Sequence, residues 1–127
     1  MTLVLAIAVC ANAQKSEPLD ASLIQLIANP EKYDGKFVRV IGYLLLELEG
    51  NALYLHREDY EAQLVKNAIG VDPNSDMEKD RGKFDRKYVL LEGIFDARNL
   101  SHMGLFSGEL RKISRADVWR PAQRKGR

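Results

Sequence analysis

The chain has 127 residues, 46% hydrophobic and 29% charged, a globular balance with room for one domain and no comfortable space for two. Residues 120–127 hold four of the 19 Lys and Arg and none of the 18 Asp and Glu, which leaves a body of 15 basic against 18 acidic residues. A mildly acidic body with a basic tail lacks the cationic excess of a polyphosphate-binding surface and argues against nucleic acid as the main partner.

Met1 to Ala13 carries no charge, and Leu3 to Ala11 is almost wholly apolar. That run is too short to cross a bilayer. With Ala11-Asn12-Ala13 behind it, it has the pattern of an export signal over residues 1–13, although no Lys or Arg precedes it. The expected setting is therefore the periplasm or the exterior, with no transmembrane segment in the mature form. Lipoprotein anchoring at Cys10 is disfavoured by the bulky Val9 before it. Cys10 is the only cysteine, so a chain cut at Ala13 has no disulfide, no thiolate metal ligand and no thiol nucleophile.

Residues 14–21 form a polar lead-in. Asp20 is the expected N-cap of a short helix bearing Leu23, Ile24, Leu26 and Ile27, which Asn29-Pro30 ends. After the Asp34-Gly35 turn comes a long strand over Lys36–Leu48. It reverses at Glu49-Gly50-Asn51 into a second strand over Ala52–His56. Glu58–Lys66 has helical composition, Ala68–Asp72 reads as a third strand, and the polar stretch Pro73–Asp85 as a loop with a helical turn. Lys87–Asp96 is the fourth strand, Ala97–Ser107 a loop, and Gly108–Ser114 the fifth strand. Arg115–Trp119 closes a domain spanning 22–119, and residues 120–127 form a basic, disordered tail.

Two of these strands echo one another. Lys36-Phe37-Val38-Arg39-Val40-Ile41-Gly42-Tyr43-Leu44 matches Lys87-Tyr88-Val89-Leu90-Leu91-Glu92-Gly93-Ile94-Phe95 in its lysine–aromatic start, its alternating aliphatics and its glycine. A glycine within a strand marks a bend or a close approach, which small barrels require. The expected fold is all-β with minor α. It is a five-stranded OB-like Greek-key barrel with an N-terminal helix and a short helix or loop between strands three and four. In that topology the echoing strands are neighbours, and the matched glycines would bend together.

The stretch Asn29-Pro30-Glu31-Lys32-Tyr33-Asp34-Gly35-Lys36, followed by Val38-Arg39-Val40 and Gly42-Tyr43, resembles a recurrent opening segment of OB-like domains in small exported bacterial proteins. Glu92-Gly93-Ile94-Phe95-Asp96 and His102-Met103-Gly104-Leu105-Phe106-Ser107-Gly108 are similar to segments of one uncharacterised group of these. The likeness implies fold and export over roughly residues 22–119, and no catalytic residues.

Chemistry is thinly signalled. Asp72, Asn74, Asp76, Glu78 and Asp80 alternate as in the start of a calcium loop. However, Met77 stands where the turn needs glycine and Lys83 where a bidentate glutamate is needed. His56 and His102 are far apart in sequence, Ser101-His102 lacks a nucleophile elbow, and no glycine-rich phosphate loop exists. No metal, cofactor or catalytic residue is expected. OB barrels often bind on the face of strands two and three. By alternation, with Leu53 and Leu55 inward, Tyr54 and His56 face outward there, joined by Arg39 and Tyr43 from strand one. Met103, Leu105 and Phe106 lie in a loop where apolar side chains need a partner, either this domain or another protein. The candidate binding set is Arg39, Tyr43, Tyr54, His56, His102, Met103 and Phe106. The expected function is a non-enzymatic exported binding module for a protein, peptide or glycan. The alternatives are a single-stranded nucleic-acid binder and, less favoured, a small carboxylate-based hydrolase.

Overall fold

A computed structural model describes residues 16–48, 50–98 and 104–123. The expected export segment 1–13, His102, Met103 and the last four residues of the tail lie outside these.

Inside the lead-in, β1 (Leu19–Asp20) runs parallel to the next strand, a pairing that the polar composition there did not signal. Ser22, not Asp20, caps α1 (Leu23–Ala28): its Oγ accepts from Gln25 N at 3.2 Å, and Ser22 N donates to Gln25 Oε1 at 2.9 Å. This reciprocal pair satisfies two donors that a helix start leaves open, and β1 has already claimed Asp20. Asn29 ends α1, but Pro30 then occupies the first turn of a second short helix, α2 (Pro30–Tyr33), where its missing N–H costs nothing.

Then follow β2 (Phe37–Leu45), β3 (Ala52–Tyr54), α3 (Arg57–Glu61), a 3₁₀ turn at Val65–Asn67 and β4 (Ala68–Val71). Pro73–Asp85 holds two short helices, α4 (Ser75–Lys79) and α5 (Arg81–Phe84), rather than one turn. Last come β5 (Lys87–Asp96) and β6 (Glu109–Val118). The final strand runs on through Arg115 to Val118, beyond its expected end at Ser114, because β5 offers it a partner as far back as Val89.

The sheet order is β1-β2-β3-β4-β6-β5, and β5 also pairs with β2. Strands β2 to β6 thus close on themselves as the five-stranded OB-like barrel, with β1 added beside β2. The closing ladders are unequal. β2 and β5 are registered from Phe37↔Ile94 to Leu44↔Lys87, whereas the parallel β4–β6 seam consists of Gly70↔Glu109 and Val71↔Leu110.

Alternation places Val38, Val40 and Leu44 of β2, and Val89, Leu91 and Phe95 of β5, in the barrel core. Leu23 and Leu26 of α1 pack into the same core, as do Met77 and Phe84 of the helices before β5. Gly42 and Gly93 do lie on paired strands, but not on one rung: Gly42 faces Val89 and Gly93 faces Val38. They flank Val40↔Leu91 symmetrically, so the sequence echo is a local dyad in the ribbon. Each glycine admits a different neighbour. A Cβ on Gly42 would sit 2.7 Å from Leu23 Cδ1, Leu53 Cγ and the Tyr54 carbonyl. One on Gly93 would sit 2.7 Å from the Arg111 carbonyl of β6, where a bulge interrupts the β5–β6 register.

Candidate functional site

The outward side chains of the barrel divide into two faces. On the first, Tyr43 of β2 pairs with Tyr54 of β3 on one side and with Tyr88 of β5 on the other. The outward direction expected for Tyr43 and Tyr54 is correct; their availability is not. Both are buried in a second apolar cluster with Leu45, Ala52, Ala68 and Phe106, against which Tyr60, Val65 and Tyr88 pack. The Tyr60 ring from α3 lies 5.9 Å from Tyr43 and 5.7 Å from Tyr54, and Tyr88 closes on Tyr43 edge-on at 5.4 Å. Loss of water raises the phenol pKa of Tyr43 and Tyr54 above the ordinary 10.0, a rise that Arg57 opposes at Tyr43. Phe106 is likewise 5% exposed, so the loop before β6 turns this ring onto its own domain while Leu105 beside it stays exposed. The usual ligand face of the fold is filled by the chain's own α3, 3₁₀ turn and Phe106.

His56 is exposed just before α3. Its backbone N–H donates to Asp59 Oδ2 at 2.9 Å, and its Nδ1 lies 3.6 Å from that oxygen. Asp59 also accepts from Asn67 Nδ2 at 2.9 Å, which anchors the cover to the turn leading into β4. In the acidic stretch, Asn74 caps α4 and its Nδ2 donates to the Ile113 carbonyl at 3.0 Å. Met77 is fully buried in the core. Among the described residues, no three His, Cys, Asp or Glu side chains are grouped to hold a metal ion.

The second outer face lies further along β2 and β5 and extends onto β1 and β6. Register puts Asp20, Arg39, Glu92 and Arg115 on one rung across four adjacent strands. Arg39 Nε approaches Glu92 Oε2 at 3.3 Å and its Nη1 approaches Asp20 at 3.4 Å. Arg115 Nη1 reaches Glu92 Oε2 at 3.1 Å, and its Nε reaches Asp117 at 2.6 Å. Hydrogen bonding to Asp117 and Glu92 raises the Arg115 pKa further, so the guanidinium is permanently charged. Glu92, only 8% exposed, is held by two guanidinium groups, the pairing a carboxylate needs when water is withdrawn.

Apolar rows flank this rung. Phe37 and Ile94 lie on one side, Ile41 and Leu90 on the other, and Trp119 follows beside Tyr88. Ile41 and Trp119 are exposed, and Phe37 and Ile94 half-buried. A groove of about 590 Å³ runs over Phe37, Glu92, Ser114 and Arg115, bounded by Ser16, Glu17 and Pro18. A second groove of about 410 Å³ at the end of the barrel is lined by Asp34, Ile94, Arg98 and Lys112, with Lys112 held at φ 48° on the bulge.

Of the expected set, then, the structure brings Tyr43, Tyr54 and Phe106 together under cover, leaves His56 at its margin and places Arg39 on the open face. His102 and Met103 lie outside the described residues. Sequence reasoning missed Glu92, Arg115 and Asp20 as Arg39's neighbours. The signal was there, since pairing the echoing strands antiparallel about Val40 and Leu91 sets Arg39 opposite Glu92. No helix among the described residues is long and apolar enough to cross a membrane. No protein family, curated protein or solved structure was found to match the chain.

Proposed function

We propose that this protein is a non-enzymatic binding module that engages a polypeptide surface through the outer face of β1, β2, β5 and β6. The observation that carries the proposal is the Asp20–Arg39–Glu92–Arg115 rung bordered by half-buried Phe37 and Ile94 and by exposed Ile41, a mixture of charge and apolar surface that α3 does not cover. Interfaces between polypeptides combine an apolar centre with charged side chains of both signs. A glycan or single-stranded nucleic acid calls instead for several open aromatic platforms in a row, and here Tyr43 and Tyr54 are buried beneath Tyr60, with Trp119 exposed at the edge of the face. The alternation of sign along the rung is also unsuited to a phosphate backbone. The apolar N-terminal segment supports a setting in the periplasm or outside the cell.

Site-specific photocrosslinking in the producing cell tests the proposal, with the photoreactive residue placed at Ile41 and, as control, at Lys79 on α4. Crosslinks to polypeptide from position 41 and not from 79 are expected. A bare position 41 overturns the reading. So does filter binding of short single-stranded DNA that is steeply salt-dependent and abolished by Arg39→Ala.

A further inference from the structure

We infer that the polypeptide received by this face is a second copy of the same chain, an inference that rests on the binding reading above. From β1 to β6 the rung reads minus, plus, minus, plus: Asp20, Arg39, Glu92, Arg115. Such an order is complementary to itself when reversed. Two copies laid face to face about a twofold axis parallel to the strands, between β2 and β5, set Arg39 over Glu92 of the other copy and Asp20 over its Arg115. A twofold along the rung instead would set like charge over like, so one symmetric arrangement is selected, and symmetric pairing is the usual form of homodimers.

The apolar rows obey the same operation. Phe37 falls over Ile94 and Ile41 over Leu90, so an apolar row flanks the charged rung on each side, with exposed Ile41 the main apolar contact and Leu90 largely covered within its own chain. The outermost charges, Asp20 and Arg115, have side chains 82% and 49% exposed, and they can form the rim while keeping the partners each has within its own chain. Because a barrel wall curves away, contact concentrates on β2 and β5. It is therefore smaller than the ~800 Å² per partner of standard stable interfaces, which makes the dimer weak and concentration-dependent.

Sedimentation equilibrium of the chain as recovered after export from the producing cell, over micromolar to millimolar concentration, is the test. Mass should rise from monomer to dimer. Asp20→Lys and Arg115→Glu should each weaken the dimer at least about tenfold, since each puts like charges together at both rim contacts. An equimolar mixture of the two variants should recover dimer of mixed composition. In the mixed pair the lysine introduced at position 20 faces the glutamate introduced at position 115, and the two native residues, Arg115 and Asp20, face each other. Ile41→Asp, at an exposed position that does not disturb the core, should weaken the dimer comparably and decides the matter if Arg115→Glu fails to fold. A wild-type chain that stays monomeric throughout overturns the inference, as does a dimer unaffected by Ile41→Asp or a mixture without rescue. If the wild type is monomeric yet position 41 still crosslinks to another polypeptide in the cell, the binding reading stands and the second copy does not.

Discussion

The two outer faces of one barrel wall have been treated in opposite ways. Around Tyr43 and Tyr54 the chain covers its own aromatic side chains with α3 and Phe106. Around Arg39 of β2 and Glu92 of β5 no helix among the described residues is laid over the strands, and the flanking guanidinium groups shield the carboxylate in place of a covering element. The difference lies in how each kind of side chain deals with water. Aromatic rings gain from being buried at roughly 25 cal/mol per Å² of apolar surface, so Tyr43, Tyr54 and Tyr88 together attract a cover, to which Tyr60 of α3 contributes its own ring. The guanidinium groups of Arg39 and Arg115 keep part of their hydration while they pair with Glu92, and they resist a cover.

Removing the cover should have the largest consequence. Phe106→Ala deletes a ring that is 5% exposed and is expected to cost about 3 kcal/mol in urea unfolding. A loss below about 1 kcal/mol would mean that the covered face is not a second core. On the open face, Glu92→Ala should cost about 1 kcal/mol, because Arg39 and Arg115 are exposed enough to be taken up by water once their shared carboxylate is gone.

Alkali separates the two faces without a change of volume. Burial holds the Tyr43 and Tyr54 phenols protonated in the folded state above the pH near 10.0 at which the unfolded chain releases them. Their contribution is complete below that pH and is lost as pH rises through the folded values. The double variant Tyr43→Phe, Tyr54→Phe should therefore flatten the fall in melting temperature between neutral pH and the alkaline side of 10.0, whereas Arg39→Gln, which adds no group that titrates there, should leave that slope unchanged. The smallest effect belongs to Ile41→Ser, at an exposed position of the bare face, where a stability change within about 0.5 kcal/mol is expected.

The barrel itself was legible because period-two alternation separates Val38, Val40 and Leu44 from Arg39, Ile41 and Tyr43 without any knowledge of partners. Orientation was legible on the same ground, and Tyr54 does face outward. Cover was not. It depends on Tyr60 and Phe106 arriving from later segments of the chain, and alternation within a strand carries no information about what settles on top of it. The charged rung was half legible. Arg39 was singled out, but its opposite number depends on register, and register becomes visible only when the two echoing strands are set antiparallel about Val40 and Leu91. Asp20 suits helix capping by residue type, but the nearby Ser22 suits it equally well and fills that position.

The two-rung parallel seam between β4 and β6 has a mechanical corollary. With Gly70 N donating to the Gly108 carbonyl and Asp72 N to the Leu110 carbonyl at its ends, it is the shortest stitching that closes the circle. Partial opening should start there and swing the β3–β4 pair outward like a door hung on β2. Amide protons at Gly70 and Asp72 would then exchange with solvent well before those along the long β2–β5 hinge side.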